Sequence, residues 1–334
     1  MQWDKGYSSS YYMMEVDPIS WLDIERIEIF GGSISRSLDG LRHSANVNCR
    51  EYPQGQERYV RIYLDTRQEE NGEHVPLFTG LAVSPSRDIK GTWYENTVQC
   101  YSVLKAADDV ILNKGWYAPV ELSCLTVLKQ LLAPVPAPVE FAENVPELKT
   151  AIVAENGETN LSMIERILYA INWQLRISGD GSIYIGPYSK ESIIVLDPLE
   201  FDVIETEISV SADWYSCPNV FMATNNELTA IARDESNDSP LSIQNRGREV
   251  WMYESGSVLN ENESMSEYAM RRLKEEQQYS VTASYDRRFI PELMPGDILT
   301  MHYPSCDLDG DFMVASQGID LSHSARTSEE IIGV

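Results

Sequence analysis

A two-residue alternation of apolar and polar side chains constrains this chain more than any other feature. Ala45, Val47 and Cys49 fall on one side of an extended segment, with Asn46 and Asn48 on the other. In YVRIYLD, Val60, Ile62 and Leu64 oppose Tyr59, Arg61 and Tyr63. Such a segment buries one face and wets the other, so it needs sheet neighbours and a core beneath one side. From Ile24 to about Val110 the pattern recurs in IERIEIF, HVPLFTGLAV and WYENTVQCYSVL, punctuated by Gly31–Gly32, EYPQGQE and EENGE. Regular short strands with turns at this spacing predict a small barrel or sandwich.

The period then changes. Leu122, Leu125, Leu128 and Leu132 make a helical stripe that Pro134 stops, and APVPAPVEF follows as an extended connector. Thr159 or Asn160 caps a second helix carrying Leu161, Ile164, Leu168 and Ile171. Trp173, Leu175 and Ile177, the turn SGDGS, and Ile183 with Ile185 read as a hairpin laid on that helix. From about Leu199 strands return as FDVIETEISVSADW, PNVFMATNN, TAIARDE and REVWMYES. Ser264 and Glu267 have capping-box spacing, and Met265, Ala269, Leu273 and Glu276 form one narrow stripe, which predicts a surface helix. Leu299, Met301 and Tyr303 alternate with Ile298, Thr300 and His302, then SCDLDGD turns into the strand FMVASQGIDL. FTGLAVS near residue 80 and FMVASQG near residue 315 echo each other, but too weakly to establish an internal repeat.

The fold class is therefore α+β and mainly β: two small β-barrel domains joined by an α+β module. The expected organisation is an arm over 1–20, a first β-barrel domain over 21–112, an α+β domain over 113–198, and a second β-barrel domain with one surface helix over 199–334. A chain of 334 residues supports several cores, burying about 75% of its extended surface. The most apolar stretch, Leu122 to Val139, is broken by Lys129 and three prolines, so no membrane span is expected. The start lacks a basic segment followed by an apolar one, so a cytoplasmic start is expected.

Net charge is −26, from 26 basic and 52 acidic residues. So acidic a surface disfavours phosphate backbones and anionic lipid, and no basic patch offsets it. The acid either keeps a large assembly soluble or lines a passage through which a polyanion slides without sticking. Cys49, Cys100, Cys124, Cys217 and Cys306 are scattered and odd in number, which argues for free thiols rather than disulfides or zinc.

The residues with catalytic or ligating potential do not assemble into a signature. Asp307, Asp309 and Asp311 alternate like the start of a calcium loop, but the sixth and twelfth positions hold Phe312 and Gly318, leaving a hairpin turn or an adventitious cation site. His43, His74, His302 and His323 are far apart; His302 with Cys306 lacks a third, orienting member. The pairs Asp108–Asp109, Glu69–Glu70 and Glu275–Glu276 fit a two-carboxylate glycosidase only nominally. No phosphate-binding loop, dinucleotide fingerprint, nucleophile elbow or zinc-peptidase motif occurs. No catalytic, metal or cofactor residue is assigned. Trp3, Tyr7, Tyr11, Tyr12, Trp93, Trp116 and Tyr117 are candidate partner anchors, the group from Trp3 to Tyr12 on an arm that orders on a neighbour; Trp173 and Trp214 read as core.

In this order of elements the chain resembles the baseplate hub and tail-tip proteins of tailed bacteriophages, which also occur in phage-like secretion machines. The run GGSISRSLDGLRHSANVNC with LFTGLA, the module ending INWQLRISGDGSIYI, and SEYAMRRLKEEQQ leading to PELMPGDILTMHYP and GDFMVASQGIDL carry the resemblance. It implies a non-enzymatic, cofactor-free virion protein assembled in the host cytoplasm. It implies a homotrimer whose two β-barrel domains per chain make a ring of six, adapting a sixfold tube to a threefold tip around a DNA channel. The barrel edges between Ile24 and Val110 and between Leu199 and Asp320 would form that ring. The implied partners are further copies, tube protein, distal tail or baseplate proteins, tape-measure protein and a central spike, with no specific nucleic-acid binding and no stable membrane insertion. Wall digestion is expected from another chain. The competing readings are a tail-associated wall hydrolase and a host-carbohydrate-binding tail module.

Overall fold

A computed structural model describes residues 2–334 except 54, 69–70, 92, 121, 189–190, 226–227, 279–280 and 323–324. Six strands come first: β1 (Ser8–Val16), β2 (Asp23–Ser37), β3 (His43–Cys49), β4 (Arg58–Arg67), β5 (His74–Lys90) and β6 (Trp93–Ser102). Their pairings run β1–β4–β5–β6–β3–β2 and return from β2 to β1, so the hydrogen-bonded order closes on itself. The alternation foresees which side is inside: Ile34, Val47, Val60, Ile62, Leu64 and Val98 are all fully buried. Ser8–Val16 is not an arm awaiting a neighbour. It pairs along its whole length with β4 and by its second half with β2, and Met13 and Val16 enter the core. The Ser–Tyr run masked a half-buried strand.

The next segment holds α1 (Lys105–Asp108), β7 (Tyr117–Ala118), α2 (Cys124–Leu131), β8 (Val139–Phe141), β9 (Ile152–Val153), α3 (Asn160–Ile171), β10 (Trp173–Ile177) and β11 (Ile183–Pro187). Thr159 caps α3 by accepting from the Ser162 N–H, and Asn172 ends it in the left-handed conformation. All four residues of the expected α3 stripe are buried. In α2 the buried set is Cys124, Val127, Leu128 and Leu131; Leu122 precedes the cap residue Ser123 and is exposed. The β10–β11 turn docks on the first six strands. The Thr79 hydroxyl donates to the Gly179 carbonyl at 2.9 Å, and Arg61 and Trp21 both donate to that of Asp180. A Cβ on Gly179 would sit 1.8 Å from the Pro76 carbonyl oxygen, so only glycine permits this approach.

The remaining chain interleaves two units. The strands β12 (Ser192–Leu196), β13 (Ile204–Ala212), β17 (Val281–Arg287), β18 (Ile298–Tyr303), β19 (Leu308–Asp320) and β20 (Thr327–Gly333) form one sheet in the order β12–β18–β19–β20–β17–β13. Between β13 and β17 lie β14 (Val220–Thr224), β15 (Thr229–Arg233), α4 (Ile243–Arg246), β16 (Trp251–Ser255) and α5 (Met265–Gln278). The helix α5 covers the three-stranded sheet β15–β14–β16, burying Met265, Tyr268, Ala269 and Leu273 against Phe221, Ala223 and Ala232. Its capping box forms as expected: the Glu267 N–H donates to Ser264 Oγ and the Ser264 N–H to the Glu267 carboxylate.

Laying the two six-strand orders side by side exposes a duplication. The pairs β2–β3, β3–β6, β5–β6 and β4–β5 recur as β13–β17, β17–β20, β19–β20 and β18–β19, all antiparallel. A bulge interrupts β5 against β6 between Ala82 and Ser84, and another interrupts β19 against β20 between Val314 and Ser316. The echo FTGLAVS and FMVASQG lies on β5 and β19, the corresponding strands. The units differ at one margin: β1 is antiparallel to β4 and also pairs β2, whereas β12 is parallel to β18 and, among the described residues, does not pair β13. One further ladder, Ser33–Ser37 of β2 on Ser316–Asp320 of β19, fuses both units into a single twelve-stranded sheet.

Candidate functional site: a polar band and a buried seam

Alternation puts the same kind of residue on the outer face of seven consecutive strands, β6–β3–β2–β19–β20–β17–β13. Thr97 and Gln99 stand on β6, Asn46 and Asn48 on β3, Ser33 and Ser35 on β2, Ser316 and Gly318 on β19, Ser328 and Glu330 on β20, Ser284 and Asp286 on β17, and Glu207 and Ser209 on β13. Register confirms the band: Ser33 lies opposite Asn46, Asn46 opposite Gln99, Ser35 opposite Gly318, Gly318 opposite Ser328, Glu330 opposite Ser284, and Ser284 opposite Ser209. Part of this face is a shallow groove of about 430 Å³. Apart from Gly318, these residues carry hydrogen-bonding side chains that are neutral or acidic, most of them short. Arg326, at one end, is held between Glu205 and Asp286 at 2.8 and 2.6 Å.

Beneath the band, where β2 meets β19, lies a buried polar cluster. Glu329 receives Arg287 through both of its oxygens, at 2.8 and 2.6 Å, and also the Tyr285 hydroxyl at 2.8 Å. Gln317 donates to Glu329 at 2.7 Å and to the Leu293 carbonyl, and Arg36 donates to the Leu77 carbonyl at 2.6 Å. The side chains of Arg287 and Glu329 are fully buried. Burial and the Glu329 charge push the Tyr285 hydroxyl well above its usual range, so it stays a donor. Burial, aided by the Arg287 charge, lowers the Arg36 guanidinium to about 10, still charged at neutral pH. Burial beside Arg36 and Arg42 holds the His43 imidazole well below its ordinary value and therefore neutral. This cluster satisfies charges inside a junction, and Tyr285, Gln317 and Glu329 also border the shallow groove above it.

The residues singled out for chemistry lie apart. Asp309 and Asp311 are on β19 rather than in a turn, where Asp309 accepts from His302 at 2.9 Å and Asp311 from the Thr300 hydroxyl at 2.6 Å; Asp307 is a left-handed helix-end residue. The Asp309 contact raises the His302 pKa. Cys306 bonds the Ser305 hydroxyl at 3.8 Å. Lys105 bridges Asp108 and Asp109, and Arg272 bridges Glu275 and Glu276, so both carboxylate pairs are ion-paired to helix cations. His43 is buried, and His74 stacks on Tyr63 at 4.2 Å while bonding Asp65. His323, Glu69 and Glu70 fall outside the described residues, as does the side chain of Trp93.

The aromatic assignments divide. Trp3 is buried against Tyr7 and Phe289, at 5.5 and 5.7 Å, and Tyr12 stacks on Tyr63, so the N-terminal aromatics are internal rather than partner anchors. Trp116 is half-buried, Tyr117 is exposed and Trp173 is core. Trp214, expected in the core, is 55% exposed because it follows β13 in a loop turned by Asp213, which accepts from the N–H groups of Tyr215 and Ser216. The polar band was missed at the level of sequence because its serines and asparagines lie on strands brought together over nearly 300 residues; the solvent-side half of each alternation was the available signal.

No family model and no curated protein matches this sequence. Solved structures do. The tail protein from Neisseria meningitidis MC58 aligns with a TM-score of 0.71 at 14% identity, over 98% of this chain and 97% of that one. The 43 kDa tail protein of prophage MuSo2 from Shewanella oneidensis gives 0.69 at 15% identity, over 97% and 96%. The prophage tail protein gp18 from Listeria monocytogenes EGD-e gives 0.60 at 12% identity, over 97% and 94%. Identities this low speak for architecture alone, and from end to end the architecture of this chain is that of the phage tail proteins its order of elements resembles.

Proposed function

We propose that this protein is a structural hub of a phage-type tail tip: three copies close a ring of six β units whose inner wall is the polar band. The continuity of that band across the β2–β19 junction carries the reading. An exposed sheet face on a lone globular protein ordinarily mixes lysines and arginines with acids for solubility. Here short neutral and acidic groups run across both units without a break, as suits a wall past which a polyanion must move without adhering.

The dimensions agree. With β5 at one end the band spans eight strands per chain, so three chains give twenty-four. At about 4.8 Å per strand the wall is about 115 Å around and about 37 Å across between backbones, before strand tilt, which leaves room for a DNA duplex inside the side chains. Two alike units per chain let three chains present six near-equivalent faces to a sixfold tube and a threefold face to the tip. In this role the protein performs no chemistry, needs no cofactor, and is located in the virion tail. Its partners are tube protein on one side, distal baseplate and spike proteins on the other, and the tape-measure protein within.

Imaging and native mass measurement of the purified protein test the ring. The expected particle weighs three times 37.8 kDa and has a central hole. A species that stays monomeric at micromolar concentration, alone and with tube protein, overturns the proposal. The channel has its own test. Replacing Ser209 and Ser284 with lysine should leave assembly intact but slow genome release, because six cations then face the passing phosphates; unchanged release overturns the channel role.

A further inference from the structure

We infer that neighbouring copies join by strand pairing between the free edge of β13 in one copy and the outer end of β5 in the next, in the register that β2 and β19 use within one chain. The inference rests on the ring reading above and supplies the contact that closes it.

One such joint is already made inside the chain. The strand β18 accompanies β19 over Leu308–Met313, and β2 takes over that edge at Ser316–Asp320. The first unit repeats half of this arrangement: β4 accompanies β5 only as far as Ala82, while β5 continues to Lys90 with β6 as its recorded neighbour. The second unit holds the other half, because β13 corresponds to β2 and, among the described residues, pairs only with β17. The two halves stand at opposite ends of the eight-strand order. Head-to-tail copies bring such halves together, and rotation closes the series.

Superposing the ladders fixes the register. Matching Ile34 opposite Ala45 to Val210 opposite Ala283 puts Ser35 on Ser211. Matching the two bulges puts Gly318 on Ser86. Gly318 lies opposite Ser35 within the chain, so Ser86 lies opposite Ser211 between chains. Exposure supports this assignment. Ile34 is fully buried at the internal joint, whereas its counterpart Val210 is 44% exposed, an apolar side chain placed like a core residue with its cover absent. Pro85 corresponds to Gln317, which has the parity of Leu321, whose N–H reaches across to the Gly32 carbonyl at 3.0 Å. The N–H that proline lacks would therefore face β13 of the next copy, so the seam forgoes one ladder hydrogen bond at this position. A second copy is the indicated occupant because the same chain already supplies both partners of this ladder in the join it makes with itself.

The test is disulfide trapping in a Cys306→Ser background, the other four cysteines being buried. Facing residues of a non-hydrogen-bonded antiparallel pair lie within disulfide reach, so Ser86→Cys with Ser211→Cys should give covalent dimers and trimers on oxidation, and neither single variant should. The pair Ser86→Cys with Ser209→Cys, two residues out of register, should cross-link at least tenfold less. Threefold rings that form without the Ser86–Ser211 bond overturn this seam and leave the ring reading standing; failure of any assembly overturns both. Val210→Lys gives an independent measure. It should abolish the trimer without lowering the melting temperature of the monomer, and a trimer of unchanged stability overturns the seam.

Discussion

The internal joint between the two β units and the edges displayed at the ends of the same sheet share one strand geometry but differ in chemistry. Inside the chain the joint is sealed by Arg36, Gln317, Glu329 and Arg287, all buried and bonded to one another or to backbone carbonyls. The corresponding positions hold Ala212 and Pro85 on the outer edges, and Val98 and Cys49 on β6 and β3. A covalently continuous chain can bury an ion pair because the cluster orders once, during folding. A contact that forms and re-forms between separate copies would have to desolvate those charges at each encounter, which burial of ion pairs rarely recovers. The difference teaches that a duplicated sheet can keep its ladder while changing what lies under it, according to whether the joint is permanent.

The largest expected effect breaks the permanent joint. Glu329→Ala leaves Arg287 buried with no carboxylate partner, and removing one member of a buried pair costs about 3–5 kcal/mol. Denaturant unfolding of the variant should show that loss, whereas Val98→Ala, at the corresponding place in the first unit, should lose only the smaller cavity term of about 1–2 kcal/mol. Equal losses would show that the charged cluster is not what holds the units together.

A second pair of substitutions sharpens the contrast at matched positions. Ile34→Ala should cost about 2–5 kcal/mol, because the side chain is fully enclosed. Val210→Ala, on the equivalent strand but exposed in the single chain, should stay within about 0.5 kcal/mol by the same measurement on the monomer. Parity between the two would mean that Val210 is already covered within one chain.

The comparison also shows what the sequence discloses. Strand identity and facing were legible wherever alternation was strong, as in Ala45–Cys49 and Tyr59–Asp65, because burial on one face leaves a local trace. The caps of α3 and α5 were legible for the same reason, since a cap is a contact within three residues. The duplication was not. Its only audible trace was the FTGLAVS and FMVASQG echo, because strand correspondence is set by ladders between segments far apart, and either unit tolerates any residues of the right polarity. The 68 residues from Asp213 to Ser280 further hid it, separating β13 from β17 where the first unit has only the short turn between β2 and β3. Ser8–Val16 was misread because tyrosine and serine look solvent-facing while tyrosine rings stack inside, as Tyr12 does on Tyr63.

Acid should act on the first unit through His43. Its folded pKa lies below the unfolded value of about 6.5, so the unfolded chain binds the proton first as pH falls. Stability from keeping this imidazole neutral is present above about pH 6.5 and is lost below it, by up to about 1.4 kcal/mol per pH unit. Unfolding free energies of the parent and His43→Gln at pH 7.5, 6.5 and 5.5 isolate the effect. The parent should fall more steeply below pH 6.5, and parallel curves would mean that His43 titrates as it does in the unfolded chain.

The smallest effect concerns the insert that has no counterpart in the first unit. Ser264→Ala removes the acceptor for the Glu267 N–H at the start of α5 and should cost about 1 kcal/mol. That loss belongs to the β14–β16 module, because α5 buries its apolar face against Phe221, Ala223 and Ala232 and not against the β2–β19 joint. Amide exchange should therefore quicken in Met265–Gln278 and in β14 while protection across Ser33–Ser37 and Ser316–Asp320 stays unchanged. If both regions loosen together, the insert and the duplicated sheet unfold as one cooperative block, and the joint draws stability from a module that contributes no strand to it.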